Sequence, residues 1–360
     1  MKQTKHKANF YHKFSETKIQ CDLCPRQCVI PEGHHGFCFV RQNHNQEMIL
    51  TTYGRSSGFC IDPIEKKPLN HFYPGHPILS FGTAGCNLGC KFCQNWDISK
   101  AKELDKTQEQ ASPLDIAITT KKLNCLGIAF TYNDPVIFAE YAMDIAKECH
   151  QLDLKTVAVT AGYIMPEARK TFFKHIDAAN VDLKAFSQTF YKKICMANLE
   201  PILETLLYLK HETDVWFELT NLVIPQNNDN HKELDEMTQW IAKHLGPDIP
   251  LHFTAFHPDY KMTDIPKTEA ISLLAAYNIA KQNGLHYVYT GNIYDSKTGS
   301  TYCPSCKKCI IERNWYELGH YHITNGCCKF CNTKIAGKFS DKAGEWGRKR
   351  IAVPGTFFRK

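Results

Sequence analysis

The sequence predicts an α/β protein centred on a partial (β/α)6 barrel of the TIM type, with a cysteine-rich segment before it and a zinc-ribbon-like four-cysteine module after it. Three observations predict this. From residue 78 onward, short β-rich runs alternate with longer stretches of helical spacing. Polar residues recur at the ends of those runs, where parallel sheets bind their ligands. Cysteines fall in three tight groups, one before the alternation, one at its start and one behind it.

Length and charge set the frame. With 360 residues the chain has room for roughly two or three domains and a large buried core. The expected division is residues 1–75 for the cysteine-rich segment and connector, 76–298 for the barrel, 299–337 for the four-cysteine module and 338–360 for a basic tail. The formal charge of +6 is uneven: residues 332–360 hold eight Lys or Arg against two Asp or Glu, and the rest of the chain is near neutral. Such a tail either binds nucleic acid or an acidic partner, or is a solvated terminus. No run approaches a membrane span, and the polar start with Lys2, Lys5 and Lys7 has no apolar signal segment. Seventeen cysteines, most of them in metal-like groups, suit a reducing compartment. A cytoplasmic location is therefore expected.

Residues 1–20 are polar and read as loosely packed. Cys21, Cys24, Cys28 and Cys38 follow within eighteen residues, enough thiolates for one tetrahedral site. Zinc suits a short segment of low apolar content that needs a staple, and an auxiliary iron-sulfur cluster is the rival reading. Residues 61–75 contain three prolines and read as an extended connector laid over the barrel. Expected strands are Ile78–Phe81, Leu126–Thr131, Thr156–Thr160, Ala179–Leu183, Trp216–Ile224 and Leu251–Phe256. Helical spacing fills the gaps at Pro113–Leu123, Pro135–Gln151, Pro166–His175, Leu199–Glu212, Lys232–Leu245 and Lys267–Asn283. Proline opens several of these, as its fixed φ permits in a first turn. Strand-helix units in this number are too few for a closed eightfold barrel, hence the partial one.

The first strand leads into a glycine-rich turn carrying Cys86, Cys90 and Cys93. Three thiolates on one loop can each hold one iron of a four-iron, four-sulfur cube, leaving one iron open. A zinc knuckle completed by a distant Cys or His is the other reading, and three packed thiols a third. Gly82, Gly85 and Gly89 let backbone wrap closely around such a group. At the strand ends stand Asn133 and Asp134, then Asp182 and Lys184, then Asn221, then His257. A carboxylate, an amide, an ammonium and an imidazole converging on one face suit a zwitterionic ligand with a ribose. Near the C-terminus, Cys303 and Cys306 pair with Cys328 and Cys331 as two C-x2-C knuckles, a strong metal signal, with Cys309 and Cys327 as spare thiols. Cys60, Cys125, Cys149 and Cys195 read as isolated core residues.

On these motifs the chain resembles the radical S-adenosylmethionine (SAM) enzymes, and within them the radical SAM component of the AmmeMemoRadiSam system, related to pyruvate formate-lyase activating enzymes. The likeness runs through Cys21 to Cys28, Asp62 to Pro68, Gly82 to Asn95, Val181 to Lys184, His257 to Tyr260 and the terminal cysteines. It implies a [4Fe-4S] cluster on Cys86, Cys90 and Cys93 whose open iron is chelated by SAM, with Phe92 near the adenine. Asn133 and Asp134 stand where relatives carry a Gly-Gly-Glu motif for the SAM amino group, and Asp182, Lys184, Asn221 and His257 match other SAM contacts. It also implies an electron donor such as a flavodoxin or ferredoxin, a 5'-deoxyadenosyl radical and hydrogen abstraction from a protein glycyl residue or another target. A reading from a different class is a metal-binding nucleic-acid module using the tail aromatics and bases Trp346, Arg348, Lys349, Arg350, Phe357 and Phe358. A tRNA-modifying radical SAM enzyme would combine the two.

Overall fold

In the computed structural model, residues 6–101 and 109–358 are described. The main sheet draws together β1 (Phe59–Pro63), β2 (Pro77–Phe81), β3 (Gly127–Phe130), β4 (Lys155–Thr160), β5 (Ala178–Asp182), β6 (Trp216–Val223), β7 (Leu251–Ala255), β8 (Val288–Gly291) and β9 (Ile351–Val353). Among the described residues it has nine strands in the order β8-β7-β6-β5-β4-β3-β2-β1-β9. From β2 to β8 every pairing is parallel, while β1 and β9 run antiparallel at one edge. No pairing among the described residues joins β8 to β9, so the barrel is open.

Parallel strands are buried on both faces, which is why Gly127–Phe130 reads as an unbroken apolar run and all of it is buried. Each fully buried Ile or Phe contributes roughly 1.5–3 kcal/mol. Between the strands lie α1 (Pro113–Lys122), α2 (Ala139–Gln151), α3 (Pro166–Phe173), α4 (Glu200–Glu212), α5 (His231–His244) and α6 (Ala270–Gln282). Proline stands in the first turn of α1, and the Ser112 hydroxyl caps it by accepting from the Asp115 N–H at 3.1 Å. All six expected strands and all six expected helices form. β8 goes beyond the expectation: its short Val288–Gly291 run is too brief for periodicity to reveal.

Three sequence expectations are corrected. Residues 6–20 are not loose: Tyr11–Lys13 pairs with Lys18–Cys21, His6–Lys7 pairs with Glu47–Leu50, and the His6 ring stacks on Tyr53 at 3.4 Å. Residues 1–5, with Lys2 and Lys5, lie outside the described residues.

The connector is not laid over the barrel but enters it. Its first residues form β1, and Asp62 is fully buried between Lys67 at 2.8 Å and Lys66 at 3.1 Å. Opposite charges adjacent in sequence neutralise each other, which lets this charged stretch be buried. The basic tail is likewise folded. Its β9 pairs with β1, Phe358 stacks on Phe59 at 4.0 Å, and Arg348 meets Glu317 at 3.2 Å.

The C-terminal module is a three-stranded antiparallel sheet of Thr301–Tyr302, Cys309–Asn314 and Glu317–Tyr321 with a short hairpin beyond it. Its apolar centre includes Cys303, Ile310, Ile311 and Ile323 and packs on Tyr287 and Tyr289 at β8. The module therefore packs against the end strand β8, with which none of its strands pairs among the described residues.

Candidate active site

The carboxyl ends of β2 to β8 open into one cavity of about 500 Å3. Cys86, Cys90 and Cys93 line it from the loop after β2. The loop needs its glycines. Gly82 sits where a Cβ would come within 2.4 Å of the Thr131 carbonyl, and Gly85 has φ +86° with the Cys38 carbonyl 2.1 Å from where a Cβ would be.

Residues far apart in sequence brace the loop. Asn133 accepts from the Thr83 N–H at 3.1 Å and donates to the Gly85 carbonyl at 2.7 Å. Gly89 donates to the Cys195 carbonyl at 2.8 Å and Lys91 to the Ile194 carbonyl at 3.0 Å, on a single π-helical turn, Tyr191–Cys195. Such wide turns often occur at functional sites. Arg26 reaches from the N-terminal cysteine segment to the carbonyls of Asn87 and Met196.

Asn133, Asp134, Asp182 and Lys184 line the cavity, as does Phe92. Asp134 accepts from the Val136 N–H at 3.1 Å, the Thr160 hydroxyl at 2.8 Å and the Ala161 N–H at 3.0 Å. Burial raises its carboxyl from the usual range in spite of these donors. Lys184 donates to Asp182 at 2.7 Å and lies 5.7 Å from the centre of the Phe92 ring. Burial works against its ammonium, yet Asp182 and the thiols of Cys90 and Cys195 outweigh it, and Lys184 is held well above its ordinary value. A cation, a carboxylate and an aromatic face thus stand beside the cysteine loop.

Two expected residues lie elsewhere. Asn221 is not in the cavity: it is 1% exposed, donates to the Leu183 carbonyl at 2.8 Å and meets Met237 of α5. Strand neighbours alternate faces, so Thr220 and Leu222 line the cavity in its place. His257 follows β7 as an exposed residue whose ring contacts the Pro258 carbonyl at 3.4 Å, whereas His252 within β7 faces inward. Cys195 is a fully buried core residue as expected, but it is not isolated: burial first, and then the neighbouring Cys90, push its thiol well above the ordinary value.

Sequence reasoning missed part of the wall. Glu65, Lys66, Lys67 and Asn70 from the connector and Arg313 to Tyr316 from the C-terminal module line the same cavity as the cysteine loop. Beneath them Glu218 is fully buried and accepts from the N–H groups of Asn70 at 3.0 Å and His71 at 2.7 Å and from His252 at 2.7 Å. Burial opposes its charge, but the hydrogen bond from His252 and the charges of both histidines hold the carboxyl below the usual range. Glu65 differs: burial pushes its carboxyl up to about 7 against the pull of Arg313. The available signal was a Glu flanked by Phe217 and Leu219 in a buried strand, with His252 at an inward position one strand away.

Outside the cavity, the sulfurs of Cys303, Cys306, Cys328 and Cys331 all lie within 4.8 Å of one another. Among the described residues this is the one group of His, Cys, Asp and Glu ligand atoms gathered so tightly. Cys303 and Cys331 stand 3.5 Å apart and Cys306 and Cys328 3.8 Å apart, so the group can hold a single metal ion and leaves Cys309 and Cys327 out.

The wider set at Cys86, Cys90 and Cys93 fits a four-iron cube, in which each thiolate binds a different iron. The close-packed glycine turn would cradle such a group. Among the described residues no helix is long and apolar enough to cross a membrane.

Residues 81–241 match the Radical SAM superfamily. The uncharacterized protein MJ0808 of Methanocaldococcus jannaschii is 40% identical over 330 residues, 91% of this chain and 98% of that protein. The pyruvate formate-lyase-activating enzyme of Clostridium pasteurianum is 23% identical over 195 residues, 50% of this chain and 80% of that one. Among solved structures, a domain of the pyruvate-formate lyase-activating enzyme from Bacteroides vulgatus is 18% identical with a TM-score of 0.41, covering 46% of this chain and 99% of that one. With its three-cysteine loop set at the mouth of an open parallel barrel, the chain belongs to the radical SAM superfamily of enzymes.

Proposed function

We propose that the protein is an activating-enzyme-like radical SAM oxidoreductase in which Cys86, Cys90 and Cys93 hold a [4Fe-4S] cluster and the adjoining cavity takes SAM. One observation carries this reading: three loop thiols share a cavity of about 500 Å3 with the Asp182–Lys184 pair. When bound, the cluster supplies the electron that splits SAM into methionine and a 5'-deoxyadenosyl radical, which takes hydrogen from the substrate.

The chain's own residues orient and shield. Asp182 faces the SAM ammonium and Lys184 its carboxylate, while Phe92 offers a flat apolar surface to the adenine. Asn133 and Asp134 act mainly through the backbone, the first locking Thr83 and Gly85 in the loop and the second tying β3 to the end of β4. The connector and the C-terminal module contribute the cavity wall assigned here to the substrate. A protein glycyl residue is the favoured substrate class, supported by the likeness to the Clostridium enzyme. A flavodoxin or ferredoxin is the fitting electron donor. Cys303, Cys306, Cys328 and Cys331 hold zinc, whose preference for four thiolates at one point suits this set. The proposed division is a core at 76–298, to whose sheet β1 and β9 add one edge, and a ribbon at 299–337.

Anaerobic reconstitution with iron and sulfide, followed by a 5'-deoxyadenosine assay with dithionite and SAM, tests this reading. Product from the wild type and none from Cys90→Ala is the expected result. Equal product from both would exclude the loop as the site of SAM cleavage.

A further inference from the structure

We infer that Cys21, Cys24, Cys28 and Cys38 hold a second iron-sulfur cluster, which passes electrons to the Cys86 loop. Only the electron-passing half rests on the function proposed above. The four cysteines line one small, largely enclosed cavity together with Leu23, Ile30 and Ile137. Cys21, Cys24 and Cys38 are buried and Cys28 is half-buried.

Their arrangement differs from that of the C-terminal four, whose sulfurs all gather within 4.8 Å. A zinc ion draws four thiolates to one point, whereas a cube binds them to different irons and holds them around a space.

Arg41 adds a second observation. It lines the same cavity, is 1% exposed and holds Glu140 through Nη1 at 2.9 Å and Nη2 at 3.0 Å. Its Nε is buried without a hydrogen-bond partner among the described residues. A buried N–H donor on the wall of a sulfur-lined cavity suits cluster sulfurs, which accept such bonds and are tuned by them.

The cavity adjoins the active-site loop. Asn87 is part of its wall and also lies 3.9 Å from the Cys86 sulfur through its Oδ1. The Cys38 carbonyl packs directly on Gly85, and Arg26, between Cys24 and Cys28, donates to the Asn87 carbonyl. Asn87 thus borders both the N-terminal cavity and the Cys86 sulfur. In the relay, a reduced ferredoxin or flavodoxin loses one electron, the N-terminal cluster carries it, and the loop cluster gains it. No bond forms or breaks and no proton moves.

The test uses the full chain with Cys86→Ala, Cys90→Ala and Cys93→Ala combined, purified without oxygen and reconstituted with iron and sulfide. About four iron and four sulfide per chain, with a dithionite-reduced electron paramagnetic resonance signal that SAM leaves unchanged, is the expected result. Zinc in both four-cysteine sites with iron near zero overturns the inference. Should the variant fail to fold, the wild type decides: about eight iron per chain supports the second cluster and about four with two zinc overturns it. In the fully reduced wild type the neighbouring clusters broaden each other's signals, and two independent, unbroadened signals overturn the relay. Wild type with about eight iron but no 5'-deoxyadenosine retains the second cluster while removing the SAM-cleaving assignment, so the two failures are told apart.

Discussion

The Cys86 loop and the C-terminal four-cysteine group use the same side chain for opposite ends. At Cys303, Cys306, Cys328 and Cys331 all donors turn inward, with sulfurs within 4.8 Å of one another, and the surrounding hairpins are local in sequence. At Cys86, Cys90 and Cys93 there are three donors and one face is left to a large cavity. Holding that open arrangement takes distant help, from Arg26, Asn133 and the turn at Tyr191–Cys195. A structural metal site can be self-sufficient, whereas a reactive one must be braced by the rest of the fold.

The comparison is broken most directly by removing a ligand from each region. Cys90→Ala should reduce SAM cleavage to background while metal remains at the C-terminal group, as read by 5'-deoxyadenosine yield and metal analysis. Cys328→Ala should do the reverse. A structural zinc contributes about 10–16 kcal/mol of local folding free energy, so its loss should expose residues 301–335 to protease while iron at the loop persists. Retained zinc and unchanged protection would show that the four thiols are not a metal site.

Smaller effects sharpen the picture. Gly85→Ala places a Cβ against the Cys38 carbonyl at φ +86° and should cost about 1–3 kcal/mol, visible as a lower melting temperature and reduced iron content. Asp182→Asn should weaken SAM binding about tenfold or more with iron unchanged, since a hydrogen bond to a charged group is worth about 1.5–3 kcal/mol. Asn221→Ala, facing α5, should leave SAM affinity unaltered in the same titration. Equal losses in the two would contradict the division of strand faces.

The smallest effect concerns pH. Burial raises the Glu65 carboxyl to about 7, so the folded chain binds a proton there that the unfolded chain has already lost at pH 6. Its contribution to stability is fully present below the ordinary carboxylate range and is lost as pH rises through about 7. Glu65→Gln should flatten the fall in melting temperature between about pH 5 and 8. An identical slope in both proteins would contradict the raised value.

The barrel was legible because its signals are local: alternating short and long runs, proline at helix starts and C-x2-C spacing read from a few neighbouring residues. The placement of the cysteine loop and of Asp182 and Lys184 at the strand ends was legible for the same reason. Asn221 was misassigned because a residue's position in a strand does not by itself give its face. The connector's entry into the core depends on Asp62, Lys66 and Lys67 neutralising one another, and on Glu218 accepting from Asn70 and His71 about 150 residues away. Cys195 beside Cys90 and the folding of the basic tail onto β1 are likewise products of tertiary packing, with no local pattern to announce them.

The central claim is that the Cys86 loop carries a SAM-binding cluster with an open iron. Electron paramagnetic resonance of the reduced, reconstituted chain with and without SAM tests it most directly, alongside the 5'-deoxyadenosine assay. A cluster signal that changes on adding SAM, absent from Cys90→Ala, is the predicted result. A wild-type signal indifferent to saturating SAM, with no 5'-deoxyadenosine formed, would contradict it.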